Sequence, residues 1–180
     1  MEFLHKEKGF QYVPPKTTDC TFGGAWNITA KGFKGVVVNE QSDWEPFLYE
    51  KIYSNQAPSY ETSGCVTHAK FNCIELNANR IHGHKDDWSD RFVTVGSGTS
   101  PAGGNTPDKV NDFIRHKWTV HEEEWPTSAA KTQAEFYTEI PQALYDRAKQ
   151  LKKYKYGYER IQNPTPDVLR EALKYGAVAI

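Results

Sequence analysis

The sequence predicts an α+β fold that is mainly helical, with short strands and an extended N-terminal arm. Three observations predict it. Small or apolar side chains recur at helical spacing from Cys65 through Ala69, Cys73 and Leu76, the signature of a helix with one packed face. Thr106-Pro107 opens a second pattern of that kind, carrying Val110, Phe113 and Ile114. Residues 1–34, by contrast, are rich in Gly, Pro, Thr and aromatics and sustain neither a strand nor a helix period, which suits an arm laid over a core.

The elements follow in order. GVVVNE at 35–40 reads as a short strand of β-branched residues, and Pro46 in the WEPFLY that follows disfavours a central strand. A helix is expected from Cys65, with Thr62 or Ser63 as its N-cap. At 106–107 threonine supplies a cap and proline the preset first helical position. Further helices are expected at about 139–153 and at 166–175, the last stopped by Gly176. AVAI at the end reads as the start of another strand, so the chain is expected to stop inside an element.

With 180 residues, 38% of them hydrophobic and 25% charged, there is material for one sizeable core. The 22 Lys and Arg nearly balance the 23 Asp and Glu, so no long-range field draws the chain to nucleic acid or to anionic lipid. No apolar leader and no run of ~20 apolar residues is present. The expected partners therefore include neither nucleic acid nor a membrane. Cys20, Cys65 and Cys73, odd in number and unevenly spaced, read as thiols in a reducing compartment rather than as a disulfide framework or paired metal clips.

Cys65 is the residue with chemistry to offer. A thiol attacks a carbonyl as thiolate, and the unpaired N–H groups at a helix start favour that anion. Gly64 before it keeps a side chain away from an approaching substrate, and the Cys65 N–H could bond a tetrahedral oxyanion, with Gln56 as a second donor. On these observations alone the simpler account of the same residue is a small buried side chain, as Cys73 two turns on would be.

The order of features narrows the choice. Gln56, then Ser63-Gly64-Cys65 opening a helix, then GGN at 103–105, another helix, and HEEEWP at 121–126 together resemble the papain-like (C1-type) cysteine peptidases, in particular the divergent domains of that type in bacteriophages and bacteria. The sequence reads TSGCVTH where the family has C-G-S-C-W, with Val66 in the aromatic position, and Gln56 stands further from Cys65 than the family spacing. The resemblance implies an arm at 1–34 and a papain-like domain over 35–180, a helical lobe whose central helix starts at the nucleophile Cys65. It implies Gln56 as oxyanion donor, Gly64, Gly103 and Gly104 as backbone facing the substrate, no cofactor, and a peptide or protein substrate. The family's His and Asn follow the nucleophile by about 130–150 residues, beyond Ile180, so the second, β-rich lobe is expected to be largely absent. The activity would need a completing chain or a longer product.

Other readings stand beside this one. His68 follows Cys65 on the same helix face, a stacked arrangement poorly suited to a converging base. HGHKDD at 82–87 could hold Zn²⁺, but one turn rarely supplies a whole site, and an exposed turn is the simpler account. The five tryptophans read as core or groove packing, and the basic, tyrosine-bearing 149–160 as a solvated helix end. The alternative function is a non-catalytic binding or structural module, virion-associated, contacting a neighbouring subunit through its aromatic-rich first 60 residues. The expected location is cytoplasmic or in a virion.

Overall fold

A computed structural model describes residues 10–16, 19–22, 36–52, 55–153 and 155–179. Most of the arm, Gly35 and Ile180 lie outside the described residues. The architecture is mixed but mostly helical, with almost no strand. Its helices are α1 (Cys65–His82), α2 (Asp90–Gly96), α3 (Pro107–Lys117), α4 (Gln133–Phe136), α5 (Gln142–Leu151) and α6 (Pro166–Ala172), with short 3-10 turns at Glu45–Phe47, Glu50–Ile52, Glu122–Glu124 and Thr127–Ala129. Paired backbone among the described residues is confined to single bridges, such as Phe10 with Asn105 and Trp88 with His121.

The helices start where side-chain oxygens satisfy their first N–H groups. Thr106 accepts from the Lys109 N–H, Ser89 from Phe92, Thr132 from Glu135 and Thr165 from Val168. Pro107 and Pro166 sit in the first turns of α3 and α6, where a missing N–H is harmless. Replacing Thr106 with alanine is expected to lower stability by about 1 kcal/mol, measured by urea denaturation, whereas Thr106→Ser should lose much less. An equal loss in both would show that the threonine methyl group, rather than the cap, is what matters there.

Contacts divide the chain into two units, each discontinuous in sequence. One comprises residues 1–13, 54–71 and 87–156, the other 14–53, 72–86 and 157–180, so that α1 contributes to both. In the first, Phe92, Val93, Val110, Ile114, Trp118, Val120 and Phe136 are buried. The Phe92 ring meets Phe113, Trp125 and Tyr145 in tilted or edge-on contacts at 5.3–6.3 Å. Each such buried side chain contributes roughly 1.5–3 kcal/mol through apolar area removed from water. Gly96, at the end of α2, lies so close to the Phe113 ring that an added Cβ would stand 2.3 Å from its Cζ.

In the second unit the indole of Trp44 donates to the Leu173 carbonyl at 2.8 Å, and Arg80 stacks its guanidinium over Phe47. The stretch 36–40 is not the expected strand. The N–H groups of Val38 and Asn39 both converge on the Lys174 carbonyl, and Asn39 donates to the Asp43 carbonyl at 2.6 Å. That pattern anchors a turn and supplies no ladder. Residues 177–179 likewise form no strand among the described residues, and the Ala177 N–H reaches the side-chain oxygen of Asn77. In both segments β-propensity meets no neighbouring strand among the described residues, and propensity alone is too weak to hold one.

Candidate active site

The turn before Cys65 is built from its own polar groups. Thr62 donates its hydroxyl to the Gln56 carbonyl at 2.5 Å and accepts the Gly64 N–H at 3.2 Å. Ser63, at φ 54, donates to the Pro101 carbonyl at 2.9 Å, and its N–H bonds the Glu61 carboxylate at 2.7 Å. Neither hydroxyl caps α1, whose first helical bond runs from the His68 N–H to the Gly64 carbonyl. Both tether the loop instead, because the positive φ at Ser63 turns its side chain away from the helix axis.

Gly64 has a steric reason to be glycine. A Cβ there would stand 3.0 Å from the Thr94 hydroxyl, 3.2 Å from that of Thr62 and 3.4 Å from the His68 ring. The turn before Cys65 is thereby pressed against α2, and Cys65 begins α1 with its side chain partly buried.

The electrostatics differ from the simple expectation for a helix start. Burial pushes the Cys65 thiol up, the backbone N–H groups of Val66 and of Cys65 itself oppose this, and the Glu61 carboxylate adds to the rise. The net effect is a thiol above its ordinary range. A helix start aids the thiolate within hydrogen-bond reach, but desolvation and a like charge outweigh it here.

The other proposed site residues fall in the same unit. The backbone of Gln56 is held at the Thr62 hydroxyl, which brings that segment back to the turn before Cys65. Gly103 and Gly104 both direct their N–H groups to the Ser100 carbonyl, at 3.2 and 2.8 Å, and their carbonyls accept the Gln11 side-chain amide. Their donors thus close a local turn, for which Gly104 takes φ 72. The three cysteines are thiols, none joined in a disulfide. His82 and His84 lie 5.7 Å apart by ring centroids, yet no group of ligands able to hold a metal occurs among the described residues.

Beside the turn before Cys65 lies a group of charges that sequence reasoning missed. His68 is buried, and its Nδ1 is 3.0 Å from the Asp90 carboxylate, which is buried too. Burial opposes a charge on His68, but the Asp90 charge and hydrogen bond, with Glu122 adding to them, raise it overall. Glu122 accepts the Thr127 N–H at 2.6 Å through one oxygen. Its other oxygen is buried with no hydrogen bond. Burial, countered by the Thr127 N–H and reinforced by Asp90 and Asp87, pushes Glu122 up to about 7. Within the acidic run 122–124, Glu122 and Glu124 each accept a backbone N–H. Glu124 accepts the His121 N–H and the Arg147 guanidinium, while the His121 ring stacks on Trp88 at 4.4 Å.

Arg91, also buried, binds the segment 126–138 to α2. It donates to the carbonyls of Phe136, Pro126 and Glu135 and to the Thr138 hydroxyl, with its guanidinium stacked 4.3 Å over Trp125. Tyr137 donates its hydroxyl to the Thr62 carbonyl at 2.5 Å, tying this segment to the turn before Cys65. A planar five-donor group is suited to gathering several carbonyls at once.

Among the described residues no helix is long and apolar enough to cross a membrane. No protein-family model, no curated protein and no solved structure matches the chain.

Proposed function

We propose that the chain carries the nucleophile-bearing helical part of a papain-like cysteine peptidase, with Cys65 as the attacking thiol. The observation that carries this reading is the placement of Cys65 as the first residue of α1, behind a glycine packed against α2 and within reach of its own and the Val66 N–H. Those two donors suit a thiolate, and the same turn offers the Cys65 N–H to a developing oxyanion. The substrate is a peptide or protein, and the reaction is acyl transfer to sulfur followed by hydrolysis. The resemblance puts the base outside residues 1–180. A completing chain or a longer product then supplies the imidazole that brings Cys65 into its working range.

The chain can be tested without that base by using an ester whose leaving group needs no proton. Treated with p-nitrophenyl acetate, it is expected to release a burst of nitrophenolate and gain one acetyl group on Cys65, ahead of the more exposed Cys20. The burst rate should climb with pH through a value above the ordinary thiol range, because desolvation and Glu61 disfavour the thiolate. Peptide mapping by mass locates the acetyl group, and Cys65→Ser should abolish the burst. Acylation that follows exposure, with Cys20 first, would overturn the nucleophile assignment. The raised thiol favours the second reading, a non-catalytic binding or structural module on the same scaffold, and that outcome would support it.

A further inference from the structure

A cavity of about 280 Å³ opens between the nucleophile turn and the segment leading into α4, lined by Glu61, Pro101, Ala102 and Gln133. It is smaller than the ~300–1,000 Å³ of sites that enclose a whole small ligand, and its size fits one long side chain. Its walls are fixed by hydrogen bonds. Gln133 donates its amide to the Glu61 and Pro101 carbonyls at 2.7 and 3.3 Å, and Ser63 donates its hydroxyl to that same Pro101 carbonyl. Glu61 is held by the Ser63 N–H on one carboxylate oxygen, leaving the other as an acceptor. The pocket thus combines aliphatic surface from Pro101 and Ala102 with a carboxylate and, since the Gln133 nitrogen is occupied, an amide oxygen. Both polar groups accept hydrogen bonds, and the charge is negative.

We propose that this cavity is a specificity pocket for a substrate with a lysine or arginine side chain next to the carbonyl that Cys65 attacks. The alkyl stem packs on Pro101 and Ala102, and the cationic head meets Glu61 and the Gln133 oxygen, an arrangement that suits an amphipathic cationic side chain. The cavity adjoins the turn that leads into Cys65, since Ser63, two residues before it, bonds both the Glu61 carboxylate and the Pro101 carbonyl of the lining. An anionic side chain is disfavoured by the same carboxylate. This inference rests on Cys65 being the nucleophile.

The test uses three chloromethyl ketones with lysine, norleucine or glutamate beside the ketone. In each, the Cys65 thiolate forms a carbon–sulfur bond to the methylene and chloride leaves. Cys65 alkylation, followed by mass, is expected to be about fivefold faster with lysine than with norleucine, the effect of one solvent-accessible ion pair, and slowest with glutamate. Glu61→Gln should bring the lysine-to-norleucine ratio to about one. The ratio cancels the change in thiolate fraction that removing the charge brings. Ala102→Leu, which fills the cavity and keeps the charge, should slow the lysine reagent relative to iodoacetamide. A ratio near one in the unaltered chain, or one that Glu61→Gln leaves unchanged, would overturn the pocket. Iodoacetamide reports separately on Cys65: if it alkylates Cys20 and Cys73 alone, the nucleophile assignment falls, and the pocket with it.

Discussion

Asp90→Ala is expected to lower stability by ~3–5 kcal/mol, because it leaves His68 buried beside an apolar group in place of its carboxylate. For a chain of this length that corresponds to a fall in Tm of about 10 °C. His68→Leu alone should also be destabilising, since it removes the imidazole from the buried Asp90 carboxylate. The double replacement His68→Leu with Asp90→Leu is expected to recover most of the loss, because neither charge then remains to be desolvated. Urea denaturation followed by tryptophan fluorescence, run as a double-mutant cycle, measures the coupling. A loss below about 1 kcal/mol for Asp90→Ala would mean that the pair is hydrated and contributes little.

The second large effect is a dependence of stability on pH through Glu122. Its carboxyl holds a proton to about pH 7 in the folded chain, against 4.5 for the unperturbed group. Below 4.5 both folded and unfolded forms are protonated and Glu122 makes no difference. Between 4.5 and 7 the folded state binds the extra proton, so stability falls as pH rises, and above 7 the loss is complete at on the order of 3 kcal/mol. His68 acts in the same direction. With its folded value raised, its contribution is present below its unfolded value and is lost as pH rises through the folded one. Glu122→Gln retains an acceptor for the Thr127 N–H and removes the ionisation. Its advantage over the unaltered chain should grow by ~3 kcal/mol from pH 4.5 to 8, and parallel pH profiles for the two proteins would sink the assignment.

These charges show where sequence reading stops. His68 was visible as a helix neighbour of Cys65, but its partner Asp90 is on α2, and no spacing in the sequence marks a pair formed between helices. The buried side of α1 includes Thr67, His68 and Glu75 along with Val66 and Phe71. The expected face through Cys65, Ala69, Cys73 and Leu76 is only partly buried. Periodicity finds a helix by its apolar residues, and it misplaces the face when polar groups are buried in pairs. Arg91 was hidden for the same reason, since its carbonyl partners lie 35 to 45 positions away.

Helix starts were more legible, because a cap and its N–H lie within one turn of each other. Thr106-Pro107 and Pro166 marked α3 and α6, although α6 ends at Ala172 with Leu173 as its C-cap, short of the expected stop at Gly176. The short α2, with Ser89 as its cap, carried too little periodicity to be expected. The sequence by itself determined a mainly helical chain with a thiol at the head of its longest helix, since caps, prolines and apolar spacing act locally. Only the tertiary structure decided that GVVVNE and AVAI lack strand pairing among the described residues, that His68 pairs with Asp90, and that Glu61, Pro101, Ala102 and Gln133 come together around one cavity. Those outcomes depend on which distant segments come to share a low-dielectric space, and that is set by packing.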